Sequence, residues 1–168
     1  SHSAEAIDWT AETTLPMDDR FHPSESHPPA AVTNILLTGA DSFSGVHLLA
    51  HLLTQRPGVT VYVLGSYAPL DHGQIFQKLM EYKLLNGALT PERILTGIQV
   101  VPGFLAHESH FGLATADFQR LAISIHAIYH LASEVSLLKT YHDLKHLNTT
   151  SALTLIELAN LGRRGSRI

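Results

Sequence analysis

The sequence predicts an α/β domain in which helices flank a parallel sheet, and three observations support this. Short apolar runs alternate with segments of helical spacing over residues 32–168, a pattern typical of parallel sheets with helices on both faces. A glycine-containing turn follows the first run. Right-handed crossovers then place the strands in the order 3-2-1-4. The expected fold is a truncated Rossmann-like sheet preceded by an N-terminal arm.

Each predicted strand is a short run rich in apolar and β-branched residues, as expected of strands buried between two helical layers. In chain order these runs are Asn34–Thr38, 59–64, 97–101 and 127–131. Apolar residues recur at helical spacing between and after them, which predicts helices over 45–55, 71–86, 115–122 and 143–161. Asp71 is the expected N-cap of the second helix and Gly87 its expected stop.

Residues 1–31 differ in composition, since they are rich in proline and poor in apolar residues. They predict a surface arm or linker with a short helical turn at Trp9–Thr13. Trp9 and Phe21 are the expected anchors of this arm on the main body. The Rossmann-like domain itself is expected to span 32–168.

Composition excludes several classes of function. The 168 residues contain no cysteine, so a disulfide, a thiolate metal site and a cysteine nucleophile are excluded. The net charge is −4, and the only basic cluster is a tail with Arg163, Arg164 and Arg167, which does not make a nucleic-acid-binding face. No apolar run is long enough to span a membrane. A cytoplasmic protein without nucleic-acid or membrane partners is expected.

The turn after the first strand is the candidate cofactor site, formed by Gly39, Ser42, Phe43 and Gly45. A dinucleotide turn uses its first glycine for tightness, its second for close approach of the pyrophosphate, and its third for helix–strand packing. Ser42 stands at the second position, where its side chain occupies the space of a phosphate oxygen. After the second strand, Ser66 and Tyr67 supply neither an acid for a ribose nor an arginine for a 2′-phosphate. A vestigial phosphate turn without a bound cofactor is therefore predicted.

Residues 35–53 resemble the start of the thioester reductase domains that terminate some nonribosomal peptide synthetases and polyketide synthases. These domains belong to the extended short-chain dehydrogenase/reductase superfamily. The similarity continues in order through 61–64, 101–105, 128–132 and 148–159, and residues 8–12 resemble the linker from a carrier domain. The resemblance implies NADPH-dependent release of a carrier-bound thioester as an aldehyde or alcohol.

The sequence differs from the family pattern at positions that would contact the cofactor, whereas it retains the residues that the fold requires. The departures are Ser42 for the second glycine, Ser66 for the 2′-phosphate arginine, Phe104 for an aspartate, Ser136 for an asparagine, and Ser151-Ala152 for Gly-Thr. The family's catalytic Ser or Thr and its Tyr-x-x-x-Lys pair are expected after a fifth strand, which this sequence does not reach. Tyr141 and Lys145 have that spacing but precede the helix of Asn148, which is too early in the chain. The match is therefore interpreted as coincidental, and no catalytic residue is predicted.

Two histidine pairs have metal-ligand spacing, His47 with His51 and His142 with His146. Neither pair has a third ligand at a suitable spacing, so the favoured interpretation is histidines on helix faces and no metal site.

The favoured hypothesis is a non-catalytic pseudo-thioester-reductase that serves as a structural cap or as a docking surface for a carrier domain or partner enzyme. The alternative is an NADPH-binding fragment of an active thioester reductase, and a third possibility is a nucleotide-sensing module. The strand at 127–131 contains no lysine or proline to discourage pairing. Its outer edge is expected to be covered by the tail 162–168, by a second copy in an edge-strand homodimer, or by a partner's strand.

Overall fold

The computed structural model describes residues 6–14, 31–107 and 109–165, with side chains described as far as Gly162. Its strands are β1 (Asn34–Thr38), β2 (Thr60–Gly65), β3 (Ile98–Phe104) and β4 (Ala127–His130). They pair in parallel in the order β3-β2-β1-β4. The predicted fold class and strand order are therefore confirmed.

Helices occupy the connections between the strands and both ends of the described chain. They are α1 (Trp9–Thr13), α2 (Phe43–Gln55), α3 (His72–Glu81), α4 (Pro91–Gly97), α5 (Thr115–Ser124), α6 (Tyr141–Lys145) and α7 (Ser151–Gly165). A 3₁₀ turn at His110–Gly112 precedes α5, and a π turn at His146–Thr150 joins α6 to α7.

The core has two halves because successive strand residues face opposite sides of the sheet. From β1, Ile35 and Leu37 enter one half with Leu49 of α2. Leu36 enters the other half with Phe118 of α5. All four of the aliphatic side chains are fully buried, and each such burial stabilises the fold by about 1.5–3 kcal/mol.

The predicted helix over 71–86 is wrong at its C-terminal end. Asp71 caps α3 through a capping box, as expected. The helix stops at Glu81, because Lys83 takes a left-handed conformation with φ 56°. There the Leu84 N–H donates to the Leu79 carbonyl oxygen at 2.9 Å. Gly87, the predicted stop, lies beyond the end of the helix.

The sequence analysis missed α4, although its start signal is present. Thr90 caps this helix by accepting the Arg93 N–H, and Pro91 occupies its first turn. The Arg93 guanidinium donates to the carbonyl oxygens of Leu53 at 3.1 Å and Val59 at 2.8 Å. These bonds tie α4 to α2 and to the entry of β2, so the short helix is held by tertiary contacts.

The helix predicted over 143–161 is three elements, because α6, the π turn and α7 follow one another. Thr140 caps α6 through a second capping box. In the π turn the Ser151 N–H donates to the His146 carbonyl oxygen. The chain therefore changes helical geometry just before the buried Ser151 side chain, which donates to the Leu147 carbonyl oxygen.

Candidate functional site

The turn between β1 and α2 needs its two glycines for packing. Gly39 has φ 72°, and a Cβ added to it would lie 2.7 Å from the Ala132 backbone nitrogen. A Cβ on Gly45 would lie 1.8 Å from the Gly39 carbonyl oxygen. Both glycines are thus required for the chain to turn tightly beneath the end of β4, whether or not a phosphate binds.

Ser42 is the N-cap of α2. Its hydroxyl donates to the Gly39 carbonyl oxygen at 2.7 Å and accepts the Gly45 N–H at 3.1 Å. Its φ of −85° is ordinary for any residue. A helix N-terminus binds phosphate through its free N–H groups. The Ser42 hydroxyl therefore occupies one donor that a pyrophosphate would otherwise use.

Phe43 is the first residue of α2, directly after the Ser42 cap. Its exposed ring lies 4.3 Å from the His47 ring and 5.4 Å edge-on from the Tyr82 ring. The His47 Nδ1 donates to the Phe43 carbonyl oxygen at 2.7 Å. Across the described part of the chain, no group of three histidine, aspartate or glutamate side chains is arranged to hold a metal ion.

Ser66 lies just beyond the end of β2, where a dinucleotide ribose is normally read. Its carbonyl oxygen accepts the Ala106 N–H at 3.0 Å, so the chain after β3 holds this position. Phe104, at the end of β3, has its ring 5.3 Å from the His107 ring. Tyr67, which follows Ser66, is exposed, and the Lys139 Nζ lies 5.8 Å from the centroid of the Tyr67 ring.

Lys139 belongs to the loop after β4 and forms an ion pair with Glu134 of the same loop. Asn148 fixes Glu134, because its amide accepts the Glu134 N–H at 2.9 Å and donates to the Glu134 carbonyl oxygen at 2.8 Å. The Ser136 hydroxyl shapes the loop by accepting the Lys139 N–H at 3.2 Å. The hydrogen bonds of Asn148 to the Glu134 backbone and the contacts of Lys139 could not be found from the sequence. Both depend on the conformation of the loop after β4.

The Lys139 side chain therefore links the loops that follow β2 and β4, which flank the crevice in which open α/β sheets bind nucleotides. This crevice lies outside the carboxyl ends of the strands where the strand order reverses, here beside β1. β1 stands between β2 and β4. Lys139 contacts Tyr67 after β2 and Glu134 after β4.

Tyr141 and Lys145 anchor the N-terminal arm. The Tyr141 hydroxyl donates to Glu12 Oε2 at 2.5 Å, and the Lys145 Nζ donates to Glu12 Oε1. The Trp9 ring lies 5.3 Å from the Tyr141 ring, so the predicted anchoring through Trp9 is present. Phe21, the other expected anchor, lies outside the described residues.

Glu12 and the pair Tyr141 and Lys145 shift one another's pKa values. Hydrogen bonds from Lys145 and then Tyr141 hold the pKa of Glu12 below its usual value. The hydrogen bond to Glu12 raises the pKa of Tyr141, and Glu12 likewise raises the pKa of Lys145. The arrangement is that of an anchor.

Of the remaining predicted departures, Ser151 is buried against the helix backbone and Ala152 faces an apolar groove beside β4. The arginines at 163, 164 and 167 have no described side chains. No helix in the described segments is long and apolar enough to cross a membrane.

The parallel sheet, its crossover helices and the glycine turn define a Rossmann-like α/β domain. The model of the NAD-binding family described as "Male sterility protein" matches residues 37–167, and the chain belongs to this family. It is 56% identical over 158 residues to the hybrid PKS-NRPS synthetase pyvA of Aspergillus violaceofuscus and 41% identical over 161 residues to pynA of Aspergillus niger. Each match covers 94% of this chain and 4% of the synthetase.

Two solved structures of reductase domains are also similar to this chain. The terminal R domain from the myxalamid PKS-NRPS biosynthetic pathway is 30% identical with a TM-score of 0.76, and the match covers 92% of this chain and 38% of that one. The PhqB reductase domain from Penicillium fellutanum is 26% identical with a TM-score of 0.62, covering 80% and 36%. These matches confirm the resemblance to terminal reductase domains of such synthetases. The chain spans less than half the length of either domain.

Proposed function

We propose that this chain is a reductase-like domain of a hybrid polyketide–nonribosomal peptide synthetase that binds no NADPH and acts by contacting a carrier domain or a partner enzyme. The observation that carries the proposal is the closed glycine turn, in which Ser42 takes the Gly45 N–H. The contacts of Lys139 with Tyr67 and Glu134 support it, because they join the two loops that flank the crevice expected for a dinucleotide.

The electrostatics at the ribose end support the same proposal. The 2′-phosphate of NADPH is usually held by an arginine after the second strand, and Ser66 offers no charge. A charge-assisted hydrogen bond contributes about 1.5–3 kcal/mol, or roughly tenfold to a hundredfold in affinity. Lys139 contacts the ring of Tyr67, the residue after Ser66, but its charge is paired with Glu134.

Calorimetric titration with NADPH tests the proposal. The unmodified chain is expected to show no binding at millimolar NADPH. The double variant Ser42→Gly with Ser66→Arg should gain measurable affinity, because it frees one N–H and adds the phosphate cation. Ser44→Gly is the matched control, since Ser44 is an exposed neighbour that does not cap the helix. Micromolar binding by the unmodified chain would contradict the proposal and favour the alternative of a cofactor-binding part of an active thioester reductase.

Activity provides a second test. No consumption of NADPH with an acyl thioester is expected. Tyr141→Phe should change only the attachment of the arm, because Tyr141 bonds to Glu12. A turnover that Tyr141→Phe abolishes would show that Tyr141 and Lys145 are catalytic after all.

A further inference from the structure

The N-terminal arm is attached to the main body through α6. The Glu12 carboxylate accepts the Tyr141 hydroxyl at 2.5 Å and forms an ion pair with Lys145. Tyr141 and Lys145 stand four residues apart in the helix, so both side chains lie on one of its faces. The Trp9 ring of the arm packs against the Tyr141 ring. Because one carboxylate binds two side chains on one helix face, Glu12 fixes the orientation of α6 about its axis.

α6 has little support of its own. It contains five residues, and none of them is buried among the described residues. A helix this short is marginal in isolation. Its local support is the capping box, in which the Asp143 side chain accepts the Thr140 N–H at 2.9 Å and the Thr140 hydroxyl accepts the Asp143 N–H. The position of α6 therefore depends on this cap and on the arm.

Residues 131–140, between β4 and α6, form a loop beside the crevice, the crevice loop. It runs directly from Lys139 into the cap of α6. The Lys139 side chain joins Glu134 of this loop to Tyr67 beyond β2. On the other side of α6, Asn148 binds the Glu134 backbone through both groups of its amide. The contacts that shape the loop thus come from both sides of α6 in the chain, so a rotation of α6 moves both.

The conformation of the crevice loop leaves one acceptor unpaired. Glu134 Oε2 is buried without a hydrogen-bond partner among the described residues, although Glu134 Oε1 pairs with Lys139. Burial of an unpaired carboxylate oxygen costs free energy, because water would otherwise bind it. A conformation in which the Glu134 side chain reaches water avoids this cost. The loop therefore needs contacts outside itself to keep the observed conformation.

The attachment of the arm is suited to reversible release. α1 buries no residue, and Trp9 remains 58% exposed. The attachment therefore rests on the polar contacts of Glu12, and ion pairs near the surface contribute little to stability. Contacts of this strength can bias the conformation of a loop without locking it.

We propose that the docked arm holds the crevice loop in the observed conformation and that release of Glu12 from α6 opens it. With the arm docked, Lys139 stays between Glu134 and Tyr67. With the arm released, α6 is free to rotate, the Lys139 contacts separate, and Glu134 gains access to water. The arm thus controls a loop that flanks the crevice. This inference goes beyond the proposed function, because it holds whether or not the crevice binds NADPH.

Lysine labelling tests the coupling, because the chain has four lysines that can be measured separately. Lys139 reports on the crevice loop and Lys145 on the arm. Lys78 and Lys83 lie in and just after α3. The full chain is acetylated with a limiting amount of N-hydroxysuccinimidyl acetate, and mass spectrometry measures the rate at each lysine. Glu12→Gln, which keeps the shape of the side chain but removes its charge, should raise the rate at Lys145 and Lys139 by roughly threefold to fivefold. The rate at the other two lysines should not change.

Glu81→Gln is the matched control. Glu81 is the ion-pair partner of Lys78 at 3.0 Å, so this variant loses a pair of the same kind without changing the arm. Its acetylation rate should rise at Lys78 alone. Trp9→Ala removes the ring contact of the arm and leaves Glu12 in place, so it should raise the rate at Lys139 less than Glu12→Gln does.

Amide hydrogen exchange measures the loop in a second way. The N–H groups of Glu134 and Lys139 are hydrogen-bonded to side chains in or next to the crevice loop. Both should exchange faster in Glu12→Gln. The Arg93 N–H, which is bonded to the Thr90 cap of α4, should exchange as in the unmodified chain. A general loosening of the fold would change all of these amides.

The proposal is overturned if Glu12→Gln raises the acetylation rate at Lys145 but leaves Lys139 and the loop amides unchanged, since the arm then docks without holding the loop. It is also overturned if Lys145 does not respond, or if all four lysines and the Arg93 N–H respond alike. NADPH titration is independent of these results. Binding of NADPH by the unmodified chain would contradict the proposed function and leave the coupling between arm and loop in place.

Discussion

The two edges of the sheet are built differently. At one edge, Pro102 removes a backbone N–H from β3, and the 3₁₀ turn at His110–Gly112 packs against the strand so closely that a Cβ on Gly103 would lie 2.3 Å from the Phe111 carbonyl oxygen. At the other edge, β4 carries neither a proline nor a covering turn among the described residues. The face of β3 is therefore packed against the segment that follows the strand.

The largest effect is expected where the 3₁₀ turn packs against β3. Phe111 is buried between β3 and the Phe118 ring, which lies 5.7 Å away. Phe111→Ala should lower the free energy of unfolding by about 3–5 kcal/mol, because it leaves a cavity, and urea denaturation measures this. Phe43→Ala, at an exposed ring, should cost at most about 1.5 kcal/mol. Equal costs for the two variants would mean that Phe111 does not hold the turn against β3.

A smaller loss is expected for Gly103→Ala. The added methyl group meets backbone, which cannot rotate away, so the 3₁₀ turn must shift. We expect a loss of about 1–3 kcal/mol in the same measurement. Gly87→Ala is the control, because nothing lies within 4 Å of its Cβ position, and it should be neutral or slightly stabilising. A neutral Gly103→Ala would show that β3 and the turn are not in contact.

Pro102→Thr sharpens the comparison through association. Pro102 is exposed, so the change should alter stability by less than about 1 kcal/mol. The restored N–H should make the β3 edge competent for pairing and raise self-association in sedimentation experiments at high protein concentration. If Pro102→Thr remains as monomeric as the unmodified chain, the turn alone is enough to protect this edge.

The smallest effect concerns pH and the open edge. Burial lowers the pKa of His130 in the folded chain, so the unfolded chain binds more protons and stability rises with pH. The contribution of neutral His130 to the free energy of unfolding is complete above the ordinary histidine pKa of about 6.5. It is lost as the pH falls through the lower pKa of His130 in the folded chain. His130→Gln should flatten the fall in unfolding free energy between about pH 7 and pH 5. An unchanged slope, matching that of His51→Gln, would exclude His130 as its source.

Local patterns in the sequence were enough for the fold class, the strand order and the glycine turn. Apolar periodicity, N-caps such as Asp71 and the glycines of the turn act over a few residues, so they can be recognised without coordinates. Because these patterns are local, they also led to two wrong predictions, the end of α3 and the absence of α4. The left-handed Lys83 ended α3 early, and α4 was missed because Arg93 holds it through carbonyl groups 34 and 40 residues away in sequence.

The site depended more strongly on tertiary structure. The sequence showed that Ser42 and Ser66 depart from a dinucleotide pattern, but the Lys139 contact across the crevice joins loops that follow β2 and β4. Likewise, Tyr141 and Lys145 could be judged by position, yet their partner Glu12 lies more than 120 residues earlier. Sequence alone determined which groups were available in this protein. Folding decided which of them meet, because hydrogen bonds and ion pairs act over a few ångströms and only the packed chain brings distant residues within that range.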